Sequence, residues 1–126
     1  MSSRVVHFEV PYDDAERARR FYQDVFGWQI HHIPELSYDI VSTGPVSDQG
    51  MPTEPGFIGG GLAERGETVS RPVIVIAVED LDVTLEQVRA KGGSAVGDKV
   101  PVADMGTAAY FQDSEGNLMG LWQNAT

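Results

Sequence analysis

The sequence contains no cysteine, which excludes disulfide bonds, a thiol nucleophile and a thiolate metal site. Basic residues are also scarce, because 9 lysines and arginines stand against 19 aspartates and glutamates, and the formal net charge is -10. Binding to phosphate backbones or to anionic lipid requires a basic patch. Nucleic acid and membranes are therefore not expected as partners, whereas a neutral or cationic small molecule is electrostatically favoured.

Long hydrophobic runs are missing as well. No apolar segment approaches the roughly 20 residues that span a bilayer, and the first residues lead into a strand-like run without the apolar core of a signal peptide. We therefore expect a cytoplasmic protein. The three consecutive glycines Gly59, Gly60 and Gly61 lack the lysine and helix start of a phosphate-binding loop, and there is no Gly-x-Ser-x-Gly motif.

The first segment with a clear pattern is residues 5–10, which alternate as a strand does. Phe8 lies on one face of this strand, and His7 and Glu9 lie on the other, because successive side chains of a strand point to opposite sides. His7 and Glu9 therefore share one face of the strand.

A helix is expected directly after this strand. Asp13 is the expected N-cap, as part of a capping box, and Gly27 occupies the position of a left-handed C-cap. Phe21 and Tyr22 recur at helical spacing and are expected to pack between the helix and a sheet.

The order strand, helix and three strands occurs twice along the chain. The aligned pairs are Phe8 with Ile74 and Gly27 with Gly93 at an offset of 66 residues, and Gly60 with Gly120 at an offset of 60. The pattern predicts an α+β fold with two tandem βαβββ modules, residues 4–63 and 72–124, joined by a linker at 64–71 within one domain, 1–126. Each sheet needs cover on the face opposite its helix, so we expect the two modules to form a curled sheet around a shared cup.

Specific sequence motifs accompany this repeat. They are Val6-His7-Phe8-Glu9-Val10, Phe26-Gly27, Glu79-Asp80-Leu81-Asp82, Tyr110-Phe111-Gln112-Asp113 and Glu115-Gly116-Asn117. With these motifs the chain resembles the vicinal oxygen chelate superfamily, which includes glyoxalases, bleomycin-resistance proteins and extradiol dioxygenases. The resemblance covers nearly the whole chain.

The resemblance implies a divalent metal in the cup, bound by two residues from each half. The four positions fall on His7, Val73, Gly120 and a residue near Gly60, and only His7 carries a donor. A metal also needs several converging oxygen or nitrogen donors. We therefore expect a divergent member without a cofactor, in which His7 is the one ligand if a metal is present.

The resemblance places a ligand site in the cup. Its expected lining is His7, Glu9, Gly60, Val73, Gly120 and Trp122. In this setting His7 and Glu9 are either an acid–base pair or a structural polar pair. The two glycines either bend their strands or leave space for a ligand. Tyr38, Tyr110 and Trp28 either form aromatic walls or pack in the ordinary core or at a dimer interface.

Three functions fit these features. The first is a metal-independent protein that binds a small molecule in the cup. The second is a glyoxalase-type lyase, isomerase or dioxygenase that uses His7 as a base or with substitute donors such as Glu9 or His31. The third is a non-catalytic interaction module. A homodimer is expected in each case, because association would cover the open edges of the sheets.

Overall fold

The computed structural model describes residues 2–126. The helices and strands in this part of the chain are β1 (Val5–Tyr12), α1 (Ala15–Phe26), β2 (Gln29–Ile33), β3 (Tyr38–Ser42), β4 (Gly59–Glu64), β5 (Val73–Ala77), α2 (Leu81–Ala90), β6 (Ser94–Val102), β7 (Gly106–Gln112) and β8 (Leu118–Asn124). A single 3-10 turn, Pro34–Leu36, precedes β3. The predicted α+β class and the repeated βαβββ order are confirmed. Neither of these two helices is long and apolar enough to cross a membrane.

The chain divides into two compact units. The N-terminal unit is His7–Pro72, and the C-terminal unit is Val73–Thr126 together with residues 2–6. The backbone amide of Ala77 donates a hydrogen bond of 2.9 Å to the carbonyl of Arg4, which ties the start of the chain to β5. The structural division therefore falls inside β1, whereas the predicted first module begins at residue 4.

The sheet of the N-terminal unit has the strand order β2-β3-β4-β1. Strand β1 runs parallel to β4, and the other neighbours are antiparallel. Paired residues have their side chains on the same side of a sheet, so the register of β1 with β4 decides which residues share a face. His7 pairs with Gly59, Phe8 with Gly60 and Glu9 with Gly61.

The C-terminal unit repeats this arrangement with the order β5-β8-β7-β6. Its core lies between α2 and one face of the sheet, and it comprises Leu81, Leu85, Ala109, Phe111 and Leu121. Asp80 is the N-cap of α2, and its side chain accepts a 3.1 Å hydrogen bond from the amide of Val83. Burial of aliphatic and aromatic side chains, about 1.5–3 kcal/mol each, holds this helix in place.

Helix α1 differs from α2 because no residue of it is fully buried. Tyr22 stacks on Trp28 with ring centroids 4.6 Å apart, as expected for a residue that faces the sheet. The prediction for Phe21 is wrong, since its side chain is 55% exposed. Adjacent residues lie about 100° apart around a helix, so Tyr22 takes the sheet-facing position and Phe21 is turned to the outside.

The N-cap of α1 is also one residue later than expected. Asp14, not Asp13, caps the helix, and its Oδ1 accepts a 3.0 Å hydrogen bond from the amide of Arg17. Asp13 instead forms an exposed ion pair with Arg65 at 2.9 Å. The predicted C-cap is confirmed, because Gly27 has a φ of 70° and such a backbone conformation favours glycine.

The most specific motif of the second half forms the turn between β7 and β8. Oδ1 of Asp113 accepts hydrogen bonds from the amides of Glu115 at 2.8 Å and Asn117 at 2.9 Å. The amide of Asn117 is the largest of the influences that lower the pKa of Asp113, followed by the side chain of Asn117 and the amide of Glu115. The Asp-x-Glu-Gly-Asn motif therefore stabilises a hairpin.

The two adjacent aspartates at the start of α1 provide a matched test of the capping assignment. Replacing Asp14 with alanine removes the acceptor for the Arg17 amide, so we expect the free energy of unfolding to fall by about 1 kcal/mol. Asp13→Ala should change the free energy of unfolding by only about a few tenths of a kcal/mol, because exposed ion pairs contribute little to stability. Urea denaturation of both variants measures the difference, and a larger loss for Asp13→Ala would contradict the assignment.

Candidate functional site

A cluster of three polar side chains lies on one face of the N-terminal unit. His7 and Glu9 project from β1 on the side opposite Phe8. Tyr38, the first residue of β3, reaches over β4 to meet them. The predicted pair of His7 and Glu9 thus shares a face, and a phenol links them. We call His7, Glu9 and Tyr38 the polar triad.

The hydroxyl of Tyr38 stands between the other two members of the polar triad. Nε2 of His7 lies 2.8 Å from this hydroxyl, and the hydroxyl donates to Oε2 of Glu9 at 3.0 Å. The rings of His7 and Tyr38 also stack, with centroids 6.3 Å apart and an interplanar angle of 20°. His7 and Glu9 are therefore connected through Tyr38.

Gly61 makes this arrangement possible. A Cβ atom on Gly61 would collide with the hydroxyl and the ring of Tyr38. Gly61 is buried and pairs with Glu9 on one side and Ile40 on the other, so its backbone has little freedom to move away. Tyr38 fills the space that any side chain at residue 61 would need.

His7 is a half-buried imidazole. Burial, the larger influence, lowers the pKa of His7 below its ordinary value of 6.5, and the charge of Glu9 acts in the opposite direction without reversing this shift. Burial disfavours the charged form of an imidazole. Burial therefore favours the neutral imidazole of His7, in which one nitrogen is protonated and the other is an acceptor.

The structure does not bring Gly60 to the face of the polar triad. Gly60 pairs with Phe8, and a Cβ atom on it would collide with the Phe8 ring. The repeat alignment paired Gly60 with Gly120, but the strand ladders pair Glu9 with Gly61 and the corresponding Val75 with Gly120. Gly61 is therefore the equivalent of Gly120, one residue beyond the predicted position.

The predicted residues of the second half share one face of the C-terminal unit. Val75 pairs with Gly120 and Ala77 with Trp122, and this face is opposite the α2 core that contains Leu121. The remaining predicted residue, Val73, has the same parity on β5 and is 2% exposed. Nε1 of Trp122 donates a 2.7 Å hydrogen bond to Oδ1 of Asn124. The role of these residues in ligand binding stays a prediction.

The other two histidines lie on opposite sides of β2. His31 pairs with Ile40, which pairs with Gly61, so His31 is on the same face as the polar triad and is exposed. His32 pairs with Asp39 and faces α1. The expectation that only one of the two can face the site side of the sheet agrees with this register.

A second polar cluster on the α1 side of the sheet was not predicted. Asp39 is 1% exposed, and its carboxylate accepts from Nε of Arg19 at 2.7 Å, from Nη2 of Arg19 at 3.2 Å and from Nδ1 of His32 at 2.7 Å. Burial is the largest single influence and acts to raise the pKa of Asp39, but the hydrogen bonds from Arg19 and His32 together with the charge of Arg19 lower that pKa. The one sequence signal for this cluster was an acidic residue at an inward position of a strand.

The residues at the four positions that bind metal in the superfamily do not fit a metal centre here. His7 is the one donor among them, because Gly61, Val73 and Gly120 have no side-chain nitrogen or oxygen. Among residues 2–126, no three histidines, aspartates or glutamates are grouped so that they could hold a metal ion. The chemistry of the donor set therefore supports hydrogen bonding and proton transfer at the polar triad.

Comparison with known proteins gives relatives of matching length. Residues 4–44 match the family described as bleomycin resistance protein-like N-terminal. A glyoxylase-like domain-containing protein of Didymella fabae is 30% identical over 96% of this chain and 94% of its own length. The lactoylglutathione lyase of Haemophilus influenzae is 26% identical over 96% of this chain and 93% of its own length.

Solved structures share the fold over the full chain. The methylmalonyl-CoA epimerase of Streptomyces coelicolor, in complex with 2-nitronate-propionyl-CoA, superposes with a TM-score of 0.69 at 18% identity and covers 100% of both chains. The epimerase of Mycobacterium tuberculosis gives a TM-score of 0.64 at 16% identity, over 97% of this chain and 88% of its own.

The buried carboxylate of Asp39 generates a prediction about stability. Replacing Arg19 with methionine leaves that carboxylate without its cation, so we expect the free energy of unfolding at pH 7 to fall by about 2–3 kcal/mol. This is the lower end of the range for a broken buried pair, because the side chain of Arg19 is 26% exposed. Because the folded-state pKa of Asp39 is lowered, the pair stabilises the protein above the unfolded-state pKa, about 3.9, and its contribution disappears as the pH falls through the folded-state pKa.

The destabilisation by Arg19→Met should shrink in mild acid, because burial without the cation raises the pKa of Asp39 in the variant, and this carboxyl then takes up a proton at a pH where the wild-type pair is still ionised. Urea denaturation at pH 7 and at about pH 4 measures this change. Arg20→Met is the matched control, since Arg20 is exposed on the same helix and should tolerate the substitution within about 0.5 kcal/mol. Equal losses for the two variants would show that the ion pair contributes nothing specific.

Proposed function

This chain belongs to the glyoxalase-like proteins of the vicinal oxygen chelate superfamily, and from that premise we propose that it binds a small molecule at the polar triad without the divalent metal of its relatives. The observation that supports this most directly is that Gly61, Val73 and Gly120, at the other expected ligand positions, have no side-chain donor. His7 itself belongs to a hydrogen-bonded group with Tyr38 and Glu9.

The polar triad provides the kind of recognition that metal-free pockets use. Small-molecule sites combine apolar surface with a few fixed polar groups. Here the ring of Tyr38 and the half-buried imidazole supply flat surface, and Nδ1 of His7 and the carboxylate of Glu9 supply acceptors. The strongly negative chain, at -10, favours a neutral or cationic ligand over a polyanion such as a CoA ester.

This proposal predicts how binding responds to substitution. A ligand found by a thermal-shift screen of neutral, cationic and thioester compounds should bind at least 10-fold more weakly to His7→Ala and to Glu9→Gln, because losing one buried hydrogen bond costs about 1–3 kcal/mol. Glu16→Gln is the control, because Glu16 is exposed on α1, on the other side of the sheet, and should leave the affinity unchanged. Calorimetric titration measures each affinity.

The same samples test the metal-free part of the proposal. Titration of protein purified without chelators with zinc, nickel or manganese should show no tight stoichiometric binding. Tight binding of one ion per chain that His7→Ala abolishes would overturn the metal-free proposal. His7 would then bind the ion together with other side chains that the proposal does not include.

A second candidate function is metal-free proton transfer, in a lyase or isomerase. It is favoured by one observation, namely that a neutral imidazole is connected to a carboxylate through Tyr38. A base oriented by a third group is a common catalytic arrangement. The proton would leave a carbon next to a substrate carbonyl and join His7, while the electron pair would remain on the substrate as an enolate.

Deuterium exchange distinguishes this enzyme from a binding protein. Methylmalonyl-CoA and lactoylglutathione, the compounds after which its relatives are named, should exchange a carbon-bound proton in heavy water with the enzyme and 100-fold more slowly with His7→Gln. Absence of exchange with both compounds would remove this candidate for those substrates. The homodimer also remains a proposal, which sedimentation of a monomer at micromolar concentration would refute.

A further inference from the structure

With Glu9 as a carboxylate, only one placement of hydrogens satisfies both hydrogen bonds within the polar triad. The hydroxyl of Tyr38 has a single hydrogen, and it donates this hydrogen to Oε2 of Glu9. The same oxygen lies 2.8 Å from Nε2 of His7 and can only accept there. Nε2 must therefore carry a hydrogen, since a carboxylate on the other side has none to give.

We infer that Tyr38 is a positioning residue, which holds the proton of His7 on Nε2 and thereby makes Nδ1 the nitrogen that accepts a hydrogen bond or a proton from a bound ligand. The tautomer of a histidine is set by the partner of one ring nitrogen. In this chain that partner is the phenol, and Glu9 orients the phenol.

This assignment narrows the class of ligand and rests, in that respect only, on the proposed function. A lone pair at Nδ1 recognises a ligand group with an N–H, an O–H or an acidic C–H, and it repels a carbonyl or carboxylate oxygen. A proton taken up at Nδ1 would leave a positive imidazole, whose Nε2–H faces the Tyr38 hydroxyl and, through it, Glu9. The arrangement thus suits a donor group in either candidate function.

His32 provides an internal reference with the opposite tautomer. Its Nδ1 lies 2.7 Å from Oδ1 of Asp39 and 3.3 Å from Nη2 of Arg19, and the shorter contact, with the carboxylate, decides which hydrogen the ring nitrogen carries. The Asp39 carboxylate accepts hydrogen bonds, so Nδ1 of His32 carries the hydrogen and Nε2 is the acceptor. The same spectrum should therefore contain one histidine of each kind.

The test is long-range proton–nitrogen NMR of the ligand-free, nitrogen-15-labelled protein at pH 8, where a neutral imidazole is expected from an ordinary pKa of about 6.5. Signals are assigned with the single variants His7→Gln, His31→Gln and His32→Gln. We expect His7 with a protonated Nε2 and His32 with a protonated Nδ1. A protonated Nδ1 on His7 of the wild-type protein would overturn the inference, and this measurement requires no variant of Tyr38.

Two substitutions then test whether Tyr38 is responsible. Tyr38→Phe removes the hydroxyl while keeping the ring, and Gly61→Ala displaces the ring by a collision. Both should move the nitrogen shifts of His7 toward a mixture of tautomers and leave those of His32 unchanged. Tyr12→Phe, on the opposite face of β1, is the control and should leave the His7 shifts unchanged. Unchanged His7 shifts in Tyr38→Phe would show that the phenol does not hold the proton.

The NMR test of the His7 tautomer is independent of whether the proposed ligand site is correct. If the tautomers are as expected but His7→Ala binds every ligand normally, the proposed function fails and the role of Tyr38 stands. If His7→Ala loses binding but His7 carries its proton on Nδ1, the site stands and this inference fails.

Discussion

The hydrogen bonds made by the hydroxyl of Tyr38 are the interaction on which the candidate site depends. They join an imidazole and a carboxylate that lie two residues apart on β1, and they determine how each is presented. The space for this hydroxyl exists because residue 61 is glycine, and a single added methyl group would fill it. The absence of a side chain at Gly61 on β4 therefore allows Tyr38 to connect His7 and Glu9 on β1.

Strand β3 organises both faces of the N-terminal unit with two adjacent residues. Tyr38 points to the side of His7 and Glu9, and Asp39 points to the side of α1, where it binds Arg19 and His32. Successive side chains of a strand alternate, so a slip of one residue in the pairing of β3 would exchange these positions. The ion pair of Asp39 thus stabilises the register that places Tyr38. Stability and candidate function are coupled through the pairing of one short strand.

Much of the fold followed from periodicity and from the repeat. The alternation of β1, the C-cap at Gly27 and the order of the two βαβββ modules are local or pairwise features that neighbouring residues determine. The predictions were wrong by one residue at two positions, the N-cap of α1 and the equivalent of Gly120 on β4. Asp13 and Asp14 are equally good caps by sequence, and the geometry of the first turn selects Asp14. Gly60 and Gly61 are equally plausible partners of Gly120, and the ladder of β1 with β4 selects Gly61.

The sequence by itself determined the fold class, the family, and the pair of His7 and Glu9 on one face, since these depend on patterns within short segments. Only the tertiary structure decided that Tyr38 connects this pair and that Asp39 holds Arg19 and His32 on the other face. Those contacts join residues 7 to 31 positions apart along the chain, and their partners are chosen by strand register and by the absence of a side chain at Gly61. Local sequence predicts neither the strand register nor the need for glycine at residue 61, because a hydrogen bond depends on interatomic distances that only the assembled sheet defines.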